Sequence, residues 1–291
     1  MKTEIYAELK GSRNSQPVFE GLQVQAELRE TLAITTITQS YRNAGSNNIE
    51  TVYTFPLPLE AVLLEMTVTL GEKTLKGTVF PKQEAEERYE EAITDGDTPV
   101  MLQNPQPGVY TMNVGNLLPG ERATIMFRYA QFSRWQADTL RYHLPTTIAP
   151  RYGSAERAGF EPQQTPETSL LAENLFYFAL KVGGTLAGMV IESPTHDITI
   201  DHESGLSAST VRLVRKSAYM DRDLVITVKQ NAGQPATATV ARDGDEYLLW
   251  GSFQPRFALA DDPAPRSVKI VVDCSGSMGG DSIARGIKQG R

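Results

Sequence analysis

The residues of this 291-residue chain best suited to chemistry are Asp273, Ser275 and Ser277, in the segment Asp273-Cys274-Ser275-Gly276-Ser277-Met278. One carboxylate and two hydroxyls are hard oxygen donors. Together they can fill part of an octahedral Mg²⁺ (or Mn²⁺) shell, with water or a partner's carboxylate taking the rest. The segment follows Val268-Lys269-Ile270-Val271-Val272, a run apolar enough for a strand covered on both faces, and open α/β sheets bind ligands at the carboxyl ends of such strands. The same residues have a plainer use, because Ser277 or Asp281 can accept amide hydrogens and cap the helix expected over Asp281–Lys288.

Other candidates carry less chemistry. Ser277 as a nucleophile lacks the glycine two residues before it that a nucleophile elbow uses, and its only possible bases, His143, His196 and His202, are far away in sequence. An unbroken strand would put His196 and His202 on one face and Asp197 and Asp201 on the other, which reads as exposed strand polarity rather than a metal site. Asp95-Gly96-Asp97 and Asp243-Gly244-Asp245 lack the remaining ligands of a calcium loop and read as turns. Gly71 and Gly77 form no phosphate-cradling loop.

The elements that must position these residues are mostly strands. Leu22, Val24, Ala26 and Leu28 alternate with polar residues, Leu32, Ile34 and Thr36 continue the habit, and the pattern returns at 49–55, 62–70 and 123–129. Gly71-Glu72 predicts a hairpin between 62–70 and 74–80. One helical period stands out over Lys82–Ile93, where Ala85, Tyr89 and Ile93 are expected to cover the sandwich and Glu84 and Arg88 to pair four residues apart. Further strands follow from Leu175 to Phe253, and a second β layer packed on the first is the expected outcome. The fold class expected is mainly β (α+β): an antiparallel sandwich with one helix over 1–135, a β-rich connector over 136–262, and a C-terminal βα fragment over 263–291.

Two sets of motifs resemble known families. Val271-Val272-Asp273-Cys274-Ser275-Gly276-Ser277-Met278, preceded by Pro265-Arg266, is similar to the metal-ion-dependent adhesion site (MIDAS) of a von Willebrand factor A (vWA) domain. The remainder resembles the vault protein inter-alpha-trypsin (VIT) domain. Its signs are Tyr41-Arg42-Asn43, Thr54-Phe55-Pro56-Leu57-Pro58, Glu84-Ala85 with Tyr89-Glu90, Pro107-Gly108-Val109-Tyr110 and Val114-Gly115-Asn116-Leu117-Leu118-Pro119-Gly120-Glu121. Asp221-Arg222-Asp223 and Tyr247-Leu248-Leu249 look like the β region that joins the two domains.

The resemblance implies a non-enzymatic interaction or scaffold protein that recognises partners through a divalent cation. Ser275 and Ser277 would ligate the metal directly, and Asp273 would act through water or hold the shell. The family's later threonine and aspartate ligands lie beyond Arg291, so the adhesion site is expected to be incomplete, the vWA domain truncated and the cation affinity weak. The strand 268–272 would then seek a partner edge, a route to self-association. A metal-independent assembly module built on the β domains is the alternative, and a serine hydrolase a distant third. No inhibitor is expected, since a Kunitz-type scaffold needs disulfides and Cys274 is the single cysteine.

Composition narrows the partners. With 28 basic and 35 acidic residues the net charge is -7, and no basic run offers nucleic acid or an anionic membrane a local footing. Charged residues interrupt the first ten positions, no Asn-x-Ser/Thr sequon occurs, and Thr98–Gly120 is broken by four prolines. A soluble, cytoplasmic protein without membrane insertion is the expectation, with a protein partner offering an acidic residue.

Overall fold

The computed structural model describes residues 5–6, 8–11, 18–77, 82–96, 99–106, 108–148, 174–203, 207–230 and 236–253. All of them fall in one compact unit, Met1–Phe253. The first strands are β1 (Ile5–Tyr6), β2 (Glu8–Gly11), β3 (Val18–Arg29), β4 (Leu32–Arg42), β5 (Ile49–Pro56), β6 (Val62–Leu70) and β7 (Lys73–Lys76). Helix α1 (Lys82–Thr94) follows, then β8 (Val100–Gln106), β9 (Val109–Leu117), β10 (Arg122–Phe132), β11 (Trp135–Gln136), β12 (Thr139–Leu144) and β13 (Thr147–Ile148). The chain continues through β14 (Leu175–Gly183), a 3₁₀ turn at Gly184–Leu186, β15 (Val190–Glu192), β16 (Ile198–His202), β17 (Ala208–Tyr219), β18 (Leu224–Lys229), β19 (Ala236–Asp243) and β20 (Glu246–Phe253).

An eight-stranded sheet in the order β16-β17-β14-β3-β4-β10-β6-β7 is the backbone of the molecule. Two four-stranded sheets, β2-β5-β9-β8 and β11-β12-β18-β15, pack on its buried face. Phe55 of β5 stacks on Phe127 of β10 at 4.4 Å, and Tyr142 of β12 lies 6.1 Å from Phe178 of β14. The large sheet keeps the alternation expected of a sheet with one solvated face. Leu22, Val24, Ala26 and Leu28 point in from β3, and Phe176, Phe178, Leu180 and Val182 from β14.

Turn geometry decides one parity that hydropathy misreads. Glu30-Thr31 is a two-residue turn with Glu30 at φ 50°, so Leu28 pairs with Ala33 and Arg29 with Leu32. Directly paired residues share a face, and the inward set of β4 is therefore Ala33, Thr35, Ile37, Gln39 and Tyr41. Leu32 and Ile34, expected on the half-buried face with Thr36, point outward instead. The Gly71-Glu72 hairpin forms as expected, with Gly71 at φ 54°, although its second strand is described only over 73–76.

The second β layer expected from residue 175 onward is not separate from the first. β14 pairs with β3 in parallel, from Phe176 opposite Leu22 to Gly183 opposite Arg29, and β17 and β16 extend the same sheet. A parallel neighbour needs a long crossover, and here the connection from β3 to β14 runs through β4 to β13. Helix α1 matches the expected segment. Tyr89 is buried, Ala85 and Ile93 are half-buried, and Arg88 pairs with Glu84 at 2.9 Å.

Candidate interaction site

Asp273, Ser275 and Ser277, the hydrolase candidate Ser277, and the strand 268–272 all lie outside the described residues. The last described element before them is the β19–β20 hairpin, closed by Gly244-Asp245 with Gly244 at φ 59°. Val240 is paired with Leu249, so these two share a face with Tyr247, while Leu248 and Trp250 occupy the other. Tyr247 is 70% exposed and Leu249 72%, high values for large apolar side chains paired in a sheet. The opposite face holds the hairpin in place. The Trp250 indole Nε1–H donates to Thr31 Oγ1 at 3.0 Å, and the ring stacks on Phe132 at 5.1 Å.

That anchor sits on the β3–β4 turn, which is itself clamped from a second side. Thr31 O accepts from Ser133 N at 2.7 Å, and the Glu30 carboxylate accepts from Thr185 N at 2.9 Å and from the Thr185 hydroxyl. Gly184 sits at φ 68°, and a Cβ there would come 2.5 Å from Glu30 Oε1. The turn thus ties the hairpin, β10 and the 3₁₀ turn together.

The histidines do not assemble into a catalytic or metal site. His143 Nε2 hydrogen-bonds Asp223 Oδ2 at 2.9 Å, while Asp223 Oδ1 accepts from Thr146 N at 3.0 Å and the Thr146 hydroxyl donates to Arg222 O. Asp221-Arg222-Asp223 therefore locks the end of the β12–β18 ladder. His196 precedes β16 rather than continuing it, so it does not share a strand face with His202. Its Nδ1 meets Thr195 Oγ1 at 3.0 Å, and its ring packs edge-on against Phe176. Burial, with the Arg222 charge nearby, lowers its pKa against the opposing pull of Asp221 and Asp197. His202 bonds Ser209 across the β16–β17 pair. Among the described residues no group of three or more His, Cys, Asp or Glu side chains is placed to hold a metal.

The motifs quoted for the first domain turn out to be structural pins. Asn43 is fully buried and uses all of its amide: Nδ2 donates to Asn47 O and Leu117 O, both at 2.9 Å, and Oδ1 accepts from Gly45 N. Its backbone bonds Glu121 O and Gly120 N, which fastens β4 to the β9–β10 turn. Gly108, at φ 78°, lets its carbonyl reach Leu57 N at 2.9 Å and joins the two Pro-flanked motifs. Arg42 and Arg122 face each other across β4 and β10, and Glu20 accepts from both. The Arg122 guanidinium foremost, with Arg42, holds that carboxyl below its usual range.

Residues 19–129 match the family model of the vault protein inter-alpha-trypsin domain. The match runs from β3 to β10, and β14, β17 and β16 complete its large sheet from outside the matched stretch. Among curated proteins, the chain is 24% identical over 94% of its length to a von Willebrand factor A domain-containing protein of Dictyostelium discoideum. It is 25% identical over 96% of its length to the protein mono-ADP-ribosyltransferase PARP4 of Mus musculus. It spans 27% and 14% of those two proteins. Of solved structures, an M1 zinc metallopeptidase from Deinococcus radiodurans aligns over 84% of the chain and 47% of its own, at 11% identity and a TM-score of 0.37.

Proposed function

We infer that this chain is part of a non-enzymatic interaction or scaffold protein that recognises a protein partner through a divalent cation. The observation that carries the reading is the order of its parts. A sandwich with a VIT match is followed by a hairpin whose Tyr247/Leu249 face is open, and then by the oxygen-donor segment Asp273-x-Ser275-x-Ser277. Relatives described as vWA domain-containing proteins support it. In the proposed site Ser275 and Ser277 offer hydroxyl oxygens and Asp273 a carboxylate, a donor set that suits Mg²⁺ or Mn²⁺ better than a softer metal. The cation would supply a Lewis-acid position for a partner's acidic side chain. Three oxygen donors leave positions for water and the partner's carboxylate, and the affinity expected before the partner binds is weak.

Mn²⁺ line broadening in an amide NMR spectrum suits a weak site. Substoichiometric Mn²⁺ is expected to bleach the signals of residues 273–278 first in the parent chain, and to leave the Ser275→Ala/Ser277→Ala chain without that local pattern. Broadening centred elsewhere in both proteins would overturn the cation-bridged reading. The open hairpin face favours one competing reading, a metal-independent assembly surface. Its signature would be a concentration-dependent oligomer by light scattering that EDTA leaves intact and Leu249→Lys dissolves.

A further inference from the structure

The eight-stranded sheet and the β2-β5-β9-β8 sheet end on one side in two edges, β7 and β8, with α1 beside them. A cavity of about 640 Å³ opens between these three elements. Met66, Val68 and Leu75 wall it from the large sheet, Tyr89 and Ala92 from the helix, and Leu102 from β8. Its size lies within the range of small-molecule sites, and an apolar wall with a few polar groups at the mouth is their usual make-up.

The charges at this cavity are not a random sample of an acidic protein. Glu65 pairs with Arg128 and Arg88 with Glu84. The two other charged lining residues, Lys73 and Lys76, are in no salt bridge among the described residues. Lys73 pairs with the buried Leu70, so it lies on the inward face of the edge strand, at the margin of the apolar wall. The carboxylates Glu86, Glu87, Glu90 and Glu91 of α1 are absent from the lining. An apolar chamber bordered by uncompensated ammonium groups complements a molecule with an aliphatic body and an anionic end.

We propose that the cavity between β6, β7, α1 and β8 is a binding site for a single-chain amphiphile of fatty-acid type, the chain lying against Met66, Val68, Leu75 and Leu102 and the carboxylate at Lys73, with Lys76, paired with Thr67 on the other face of β7, adding positive charge at the rim. This site is independent of the cation-bridged recognition proposed above. The placement of Lys73 matters here, since a lysine on the inward face of an edge strand otherwise serves only to discourage strand addition. That role would need no cavity behind it.

The test uses the whole chain and 11-(dansylamino)undecanoic acid, whose fluorescence rises in an apolar site. Saturable enhancement is expected, with displacement by dodecanoate and none by dodecyltrimethylammonium at the same concentration. Lys73→Glu/Lys76→Glu, both exposed positions, is expected to weaken the probe at least tenfold, and Ala92→Trp to abolish saturable binding by filling the chamber. Leu249→Lys on the distant hairpin should change nothing. Absence of saturable binding, equal displacement by the cationic amphiphile, or affinity unchanged in the lysine double variant would each overturn the proposal. The charge variant keeps the test decisive if Ala92→Trp does not fold.

Discussion

Asn43 and Gly108 show how single residues set the frame on which everything else is mounted. Replacing Asn43 by Ala leaves the Leu117 carbonyl buried without a donor and removes the bonds to Asn47 O and Gly45 N, at an expected cost of about 2 kcal/mol in urea unfolding. Asn43→Asp should cost more, because a carboxylate would face both carbonyls. For Gly108→Ala the left-handed backbone and a Cβ 3.2 Å from Leu57 O predict a loss of about 2 kcal/mol. A different residue-scale prediction comes from the tyrosine pair between the large sheet and β12. The Tyr142 hydroxyl hydrogen-bonds Thr35 Oγ1 at 3.0 Å, while the neighbouring Tyr129 hydroxyl, close to both, is buried and makes no hydrogen bond of good geometry among the described residues. Tyr129→Phe is therefore expected to be neutral or stabilising, and Tyr142→Phe to cost about 1 kcal/mol. Burial raises the pKa of both, with the nearby Tyr142 adding to the shift at Tyr129. The unfolded chain then releases these protons at lower pH than the native one, so stability is fully present below pH 10 and falls as pH rises above it. Urea midpoints at successive alkaline pH values should fall more steeply in the parent than in Tyr129→Phe/Tyr142→Phe, and equal slopes would refute the assignment.

At the scale of elements, most strands and the helix were legible because their signals are local. Alternation marked β3, β6 and β10, and the Ala85/Tyr89/Ile93 period marked α1. Parity in β4 was not, because the Glu30-Thr31 turn fixes the register and no hydropathy pattern contains that information. The docking of Trp250 on Thr31 and Phe132 was equally hidden, since the contact spans 219 residues of sequence. A two-stranded hairpin alone is marginal in water, so this anchor should decide whether β19–β20 is ordered. Trp250→Ala is expected to raise amide exchange across 236–253 at least tenfold while leaving the sandwich's urea midpoint nearly unchanged. Unchanged protection of the hairpin would show that other contacts hold it.

At the scale of the whole molecule, the parallel pairing of β14 with β3 is what joins β14, β17 and β16 to the sheet of β3, β4, β10, β6 and β7 instead of leaving them in a layer of their own. Nothing in either strand's composition announces it, because the two alternate like any half-buried strand and ten other strands separate them in sequence. The proposed metal segment had the opposite fate. It was the clearest chemical signal in the sequence, and its residues lie outside those described. The central claim, that a cation held by Ser275 and Ser277 is completed by a partner's carboxylate, is tested most directly by calorimetric titration of Mg²⁺ with and without acetate as a stand-in carboxylate. Binding by cation and carboxylate to one centre must be mutually reinforcing. The account predicts weak Mg²⁺ binding that tightens when acetate is present and disappears in Ser275→Ala/Ser277→Ala. Heats that are the same in the parent and the double variant, with or without acetate, would contradict it.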